Sequence, residues 1–346
     1  MLLFPNAFPP KISRLLCGFA ILAHGVYASA LDMSSNPDVQ AFIANMVDLH
    51  QMDAGGLTRL FRGREPNATV LKLVAPPASP SQRSWRRYRA RFLDPIRIQR
   101  GVEFWQKNAA ALQRAHQRYG VPEEIIVAII GVETIYGRDT GSFNTLEALA
   151  TLAFYYPPRA YFFRQELEQF LLLARENRLP PENYRSSYAG ALGIPQFMPG
   201  SQRRYAVDFD SDGRVDLQES ATDAIGSVAH FLSRHGWQPN APVAVPADLD
   251  RDPDPAWLAA GIRPTLSVNS LLTAGVHADA DPESKVTFVD LVTPGEKTEY
   301  WLGHENFYVI TRYNRSSFYA MSVYQLAREI RKRKTANGKG RQGRVQ

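Results

Sequence analysis

A single carboxylate in an otherwise greasy helix is the most chemically suggestive feature of the sequence. The stretch Val121-Pro-Glu-Glu-Ile-Ile-Val-Ala-Ile-Ile-Gly-Val-Glu-Thr-Ile-Tyr-Gly137 places Glu133 in the last turn of a predicted helix. Pro122 suits the first helical position, and Glu123 and Glu124 suit the positive end of the helix dipole. Ile125, Ile126, Val127, Ile129, Ile130, Val132 and Ile135 leave almost no polar face, which marks the helix as central and buried. Two effects then disfavour the ionised form of Glu133: its apolar surroundings and the partial negative charge at a helix C-terminus. Together they predict a pKa raised by roughly one to three units. A carboxylic acid still protonated near neutral pH can donate to the leaving oxygen of a glycosidic bond. The competing reading is a structural Glu paired with an arginine.

Two further stretches could complete a sugar site. Ser187-Tyr-Ala-Gly-Ala-Leu-Gly-Ile-Pro-Gln-Phe-Met-Pro199 combines small residues, which let a polymer approach the backbone, with the polar side chains of Ser187 and Gln196. Arg312-Tyr-Asn-Arg315 brings an aromatic ring, Tyr313, and an amide, Asn314, to the end of a strand-like segment. Aromatic faces stack on sugar C–H surfaces and amides bind acetamido groups. Tyr136 joins the candidate sugar contacts through its place beside Glu133. The nearest second carboxylate, Asp139 in Gly-Arg-Asp-Thr-Gly, would favour hydrolysis if it faced the cleft and is otherwise a turn residue.

A separate acidic run has metal-ligand spacing. Asp208-Phe-Asp210-Ser-Asp212-Gly213-Arg214-Val-Asp216-Leu-Gln-Glu219 fits the twelve-residue EF-hand loop, with oxygens at positions 1, 3, 5, 9 and 12 and glycine at 6. Arg214 at position 7 would offer its carbonyl. Five carboxylates so close together repel one another without a cation, so a structural Ca²⁺ is expected here; no organic cofactor is implied.

These groups must be held by helices for the most part. Helical spacing covers Pro37 to His50, Ile98 to Tyr119, Val121 to Tyr136, Ala160 to Asn177 and Asp223 to His235, the last stopped by Gly236. After Trp237 the character changes. Val243 to Val245, Val286 to Val292, Thr298 to Leu302 and Phe307 to Thr311 read as short strands, and Ser317 to Arg331 returns to helix. The expected class is α+β, mainly α. The expected organisation is a helical lobe over 31–120, a core over 121–237 containing the 208–219 loop, a small β-containing lobe over 238–311, and a return to the core over 312–331.

The chain of 346 residues is 45% hydrophobic and 21% charged, which excludes a disordered or multiply membrane-spanning protein. Residues 1–30 read as a secretory signal peptide: Lys11 and Arg14, then an apolar run from Leu15 to Val26, then Ala28-Ser29-Ala30. The one cysteine, Cys17, lies at the start of that run and is badly placed for a lipid anchor. A periplasmic enzyme without disulfides is expected. The formal charge of +6 belongs to the tail, where Arg331, Lys332, Arg333, Lys334, Lys339, Arg341 and Arg344 meet no acid. Residues 332–346 therefore read as a basic disordered tail, not a nucleic-acid-binding surface.

Taken together, Gly131-Val-Glu-Thr-Ile-Tyr-Gly137, Ser187 to Pro199, Asp223-Ala-Ile-Gly-Ser-Val-Ala229 with His235-Gly-Trp237, and Thr311-Arg-Tyr-Asn314 with Phe318-Tyr-Ala-Met321 resemble the membrane-bound lytic murein transglycosylase B family, glycoside hydrolase family 103. The resemblance implies a lysozyme-like core with additional helical and β lobes. It implies that Glu133 is the sole catalytic acid and base, and that Ser187, Gln196, Tyr313 and Asn314 line the sugar site. Tyr88 resembles the family's aromatic from the helical lobe, and His230 stands where relatives often carry a tyrosine. The implied partner is the peptidoglycan glycan strand, with other cell-wall enzymes as further partners of a monomer. The family also carries an EF-hand-like site at the position of the acidic loop. A lysozyme-like hydrolase and a non-catalytic wall-binding protein are the alternatives.

Overall fold

The acid helix is the centre around which the rest packs. The structure, a computed structural model, describes residues 32–76 and 83–342; the expected signal peptide lies outside them. The acid helix spans Glu123–Thr134, with Pro122 as its N-cap and not its first residue. Ile126, Ile129 and Ile130 are fully buried, each contributing about 2–3 kcal/mol of hydrophobic stabilisation. The helix is covered by Pro95–Lys107, Ala109–Tyr119, Ala221–Arg234 and the closing helix Ser317–Gln342.

The single helix expected from Ile98 to Tyr119 is two helices. They break at Asn108, whose side chain turns back to donate to the Phe104 carbonyl, 2.9 Å away, and whose φ of −111° leaves the helical range.

Three hydrophobic clusters organise the molecule, and they cut across the expected lobe boundaries. One joins Trp85 to Val132 with Ile194 to Ile330 around the acid helix. A second joins Met33 to Val70 with Leu146 to Leu192, where the helices Thr145–Tyr155 and Ala160–Glu176 carry the larger share. The boundary expected at 120/121 therefore fails, because the helices from residue 85 onward bury their apolar faces on the acid helix and not on the preceding segment. The third cluster lies in the β-containing lobe. Its sheet has the spatial order Leu266–Ser267, Lys285–Leu291, Glu299–Gly303, Ala244–Leu249 and Val276–His277, all neighbours antiparallel.

Two expectations at the C-terminal end are overturned. Phe307 to Thr311 is not a strand but part of the helix Glu305–Tyr313, in which Phe307, Val309 and Ile310 are buried. The basic segment expected to be disordered continues the closing helix to Gln342. Arg331 pairs with Glu124 at the start of the acid helix, and the Lys334 ammonium sits 3.9 Å from the Trp105 ring centroid, so the first part of the tail has partners that its composition does not advertise.

Gly131 allows the acid helix its closest approach. A Cβ there would stand 2.5 Å from the Tyr136 hydroxyl oxygen and 2.6 Å from Tyr136 Cζ, while that hydroxyl is tied to the Arg97 carbonyl at 2.9 Å. Gly131→Ala is expected to destabilise the protein by about 1–3 kcal/mol through overpacking, despite the better helix propensity of alanine. Urea unfolding measures it, and an unchanged midpoint would mean the tyrosine ring yields freely.

Candidate active site

Glu133 occupies the end of its helix, and the chain leaves that end abruptly. Ile135, Tyr136 and Gly137 follow with φ of 50°, 63° and 81°. Left-handed backbone at a β-branched residue such as Ile135 is rare and strained, so the exit turn is held by its surroundings. Thr134 Oγ1 accepts from Gly137 N at 3.0 Å and donates to the Ile194 carbonyl at 2.8 Å. The Arg97 guanidinium donates to the Gly131 carbonyl at 2.9 Å. It thereby offsets the negative end of the helix dipole, the second of the two effects expected to act on the acid.

Burial then lifts the Glu133 carboxyl from 4.5 to about 7, net of one opposing contact. The opposing influence is a hydrogen bond that sequence reading missed: the Tyr319 hydroxyl donates to Glu133 Oε1 at 2.6 Å. Tyr319 is buried near the start of the closing helix, and its own ionisation is pushed well above 10 by burial and by the Glu133 charge. It therefore remains a donor at every physiological pH. Only its place in the Phe318-Tyr-Ala-Met321 motif could have pointed to it. The alternative expected for Glu133, a structural ion pair, fails: no arginine pairs with it among the described residues.

The candidate sugar residues divide. Glu133, Ser187, Tyr188 and Gln196 lie where two arms of a cleft meet. One arm, about 680 Å³, adds Tyr313 and Asn314. The other, about 530 Å³, adds Arg138, Asp139, Thr140 and Gly141. Gln196 donates its amide to the carbonyls of Thr140 (3.0 Å) and Gly193 (2.9 Å), which fixes the side chain and leaves Oε1 as the acceptor for a ligand. Ser187 Oγ accepts from Ala191 N at 3.1 Å and so shapes the small-residue loop it opens.

Tyr313 donates to the Pro195 carbonyl at 2.6 Å and stacks on Tyr319 at 6.5 Å and 13°. With Asn314 it ends a helix, not the strand expected. Tyr88, packed on Trp85, Phe92 and Phe318, is near enough for the Glu133 charge, after burial, to raise its ionisation.

Two expected contacts are corrected. Tyr136 points into the packing between its own helix and Pro95–Lys107, against Phe104 and the Arg97 carbonyl, because the left-handed exit turn swings it away from the cleft. His230 is held by the Tyr205 carbonyl at 2.8 Å and packs against Tyr119, so it supports the helix Ala221–Arg234 and does not line the cleft.

In the acidic loop Asp208, Asp210 and Asp212 bring carboxylate oxygens within 4.8 Å of one another. Asp208 accepts from the backbone of Ser211, Asp212 and Gly213, and Gly213 supplies the φ of 90° that the turn requires. Arg214 N donates to Asp212 Oδ1 at 2.8 Å. Asp216 and Glu219 stand outside this group. Asp216 instead accepts from the amides of Gln218 and Glu219. Buried Asp223, not foreseen as part of the loop, clamps its base by accepting from Phe209 N and Asp216 N, both at 2.8 Å. Three hard oxygen ligands in one concave turn fit a cation of the calcium type.

Comparison with known proteins identifies the family. Residues 34–328 match the transglycosylase SLT domain. The chain belongs to this family. It is 42% identical over 320 residues to the membrane-bound lytic murein transglycosylase B of Escherichia coli (strain K12), covering 89% of this chain and 86% of that one. The soluble lytic transglycosylase SltB1 of Pseudomonas aeruginosa superposes with a TM-score of 0.80 at 47% identity, over 86% of this chain and 100% of that one. The Escherichia coli lytic transglycosylase Slt35, in a structure with calcium, gives 0.79 at 41% identity, over 88% and 96%. The mainly helical fold with its small sheet is the architecture of this family's lytic transglycosylases.

Proposed function

We infer that the chain is a peptidoglycan lytic transglycosylase in which Glu133 acts as both acid and base. The observation that carries this is the Glu133 carboxyl in the cleft, raised to about 7 by burial and contacted by one neutral donor. In the mechanism, the protonated Glu133 donates to the oxygen joining N-acetylmuramic acid to N-acetylglucosamine. The muramic acid's own acetamido oxygen stabilises the cationic carbon, replacing the second carboxylate of ordinary glycosidases. The Glu133 carboxylate, stabilised meanwhile by Tyr319, then removes the proton from the C6 hydroxyl. Ring closure gives a 1,6-anhydro end, and no water is consumed. Gln196 Oε1, Asn314 and Tyr313 hold the sugars, with Ser187 shaping the loop.

One observation favours a second reading, simple hydrolysis: Asp139 does line the arm next to Glu133. Mass spectrometry of digested sacculi separates the two. Transglycosylation leaves 1,6-anhydromuramic ends, hydrolysis leaves reducing ends, and reducing ends alone would overturn the first reading.

The acidic loop is proposed to hold a structural Ca²⁺ through Asp208, Asp210, Asp212 and the Arg214 carbonyl. Calcium supplies charge neutralisation there and takes no part in bond cleavage. Modules of this kind bind with Kd of roughly 10⁻⁴–10⁻³ M. Ten millimolar calcium is therefore expected to stabilise the fold by about 1.5–3 kcal/mol, read as a rise in Tm that Asp210→Asn abolishes. An equal rise in that variant would remove the loop from consideration.

Export to the periplasm by the signal peptide is proposed from the sequence of residues 1–30. Among the described residues no helix is long and apolar enough to cross a membrane.

A further inference from the structure

The closing turn of the acid helix leaves two of its carbonyls without their helical partners. A continuing helix would aim the amides of Ile135 and Tyr136 at the Gly131 and Val132 carbonyls, but both amides turn to the Ile130 carbonyl. The two carbonyls belong to the residues just before Glu133, at the negative end of the helix dipole. What meets them is the Arg97 guanidinium, from the helix Pro95–Lys107. Its Nη1 donates to the Gly131 carbonyl at 2.9 Å and reaches the Val132 carbonyl at 3.5 Å.

Arg97 is fixed from both sides. Its amide donates to Asp94 Oδ1 and its carbonyl accepts from the Tyr136 hydroxyl, each at 2.9 Å. The guanidinium packs 5.4 Å from the Phe92 ring centroid and pairs with Asp94 at 3.5 Å. The side chain is only 12% exposed, so water screens its charge weakly. It lines neither arm of the cleft and touches no sugar there.

The other groups around Glu133 do not duplicate this charge. Tyr319 contacts it, Tyr313 and Tyr88 lie near enough to feel it, and all three stay neutral because burial raises their ionisation. Arg138 and Asp139, just beyond the exit turn, are exposed and of opposite sign. Across the cleft stand Glu166 and the half-buried Arg159, with Arg263, Arg312 and Arg315 exposed to solvent.

We propose that Arg97 is a positioning residue for the reaction, acting through the Gly131 and Val132 carbonyls to hold the end of the acid helix and to stabilise the carboxylate that Glu133 becomes after giving up its proton. The proposal rests on the acid–base reading of Glu133 above. Without the guanidinium, two carbonyl dipoles face the new carboxylate uncompensated. Glu133 then holds its proton more tightly and delivers it more slowly to the leaving oxygen. Strand binding is untouched, so the cost falls on kcat and leaves KM nearly unchanged.

Two substitutions of opposite electrostatic sense test this in the full chain. Arg97→Gln removes the cation, whereas Asp94→Asn removes its counter-charge and keeps a capping side chain. Arg97→Gln is expected to lower kcat about three- to tenfold and to move the alkaline limb of the kcat/KM profile up by roughly half to one pH unit. Asp94→Asn is expected to move that limb down, by a smaller amount. A ¹³C NMR titration of the Glu133 carboxyl carbon reads the same displacements without substrate. Reduced stability with both curves unmoved would make Arg97 merely structural, and displacement of both variants in one direction would overturn the proposal. Should Arg97→Gln fail to fold, Asp94→Asn decides alone, and an unmoved curve there counts against Arg97. Failure of the transglycosylase reading looks different: the wild type would release reducing ends in place of anhydro ends, while the titration still judged Arg97.

Discussion

Glu133→Gln is expected to slow release of 1,6-anhydro ends by about 10³–10⁴-fold, since general acid–base catalysis by one group contributes up to that range and here one group serves both steps. Glutamine keeps the size of the side chain and still accepts from Tyr319, so the cleft survives. Stability supplies an independent readout with a definite sign. The folded protein holds the Glu133 proton up to about 7, against 4.5 for the free side chain. The folded state therefore binds more protons between those values, and stability falls as pH rises from 4.5 through 7. Above pH 7 the wild type carries a buried-charge penalty of up to about 3 kcal/mol. The glutamine variant lacks it and is expected to melt higher at pH 8 while matching the wild type near pH 4. A variant that is inactive and also less stable at pH 8 would point to misfolding. A fully active variant would remove Glu133 from the chemistry.

Tyr319→Phe is expected to lower kcat by about tenfold or more, the worth of one hydrogen bond to a charged group. The tyrosine hydroxyl favours the carboxylate form of Glu133, so removing it weakens the acid. Activity requires the protonated form in the free enzyme and falls as pH rises through about 7 in the wild type. In the variant that alkaline limb is expected to move to higher pH. Phenylalanine keeps the ring that stacks on Tyr313, so a structural effect alone would lower activity without moving the limb. A pH profile of kcat/KM distinguishes these outcomes.

Much of the arrangement was written locally in the chain. Pro37–His50 forms as its spacing indicates, with Asn36 capping Asp38 N and Pro37 in the first turn. The acid helix was legible because so many buried aliphatic residues in succession leave only one orientation for the lone carboxylate near their end. What escaped local reading depended on distant partners. Phe307-Tyr-Val-Ile-Thr has the β-branched and aromatic composition of a strand, but burial of Phe307, Val309 and Ile310 on the central cluster selects a helix. Lys and Arg are good helix formers, and contacts with Glu124 and Trp105 let a sequence without an apolar stripe continue the closing helix. The Tyr319–Glu133 contact joins residues separated by 186 positions, and no periodicity announces a pair so far apart. Tyr136 was drawn into the site by proximity in sequence and His230 by the family resemblance, which the exit turn and the packing on Tyr119 override.

The exit turn of the acid helix has one more implication. Thr134 donates to the Ile194 carbonyl and Ile194 N donates to the Leu217 carbonyl, each at 2.8 Å. Two links therefore stitch the reacting end of the acid helix to the glutamine-bearing turn and onward to the carboxylate hairpin. Whatever stiffness the hairpin possesses is handed down this short ladder to the atoms that exchange a proton with the sugar.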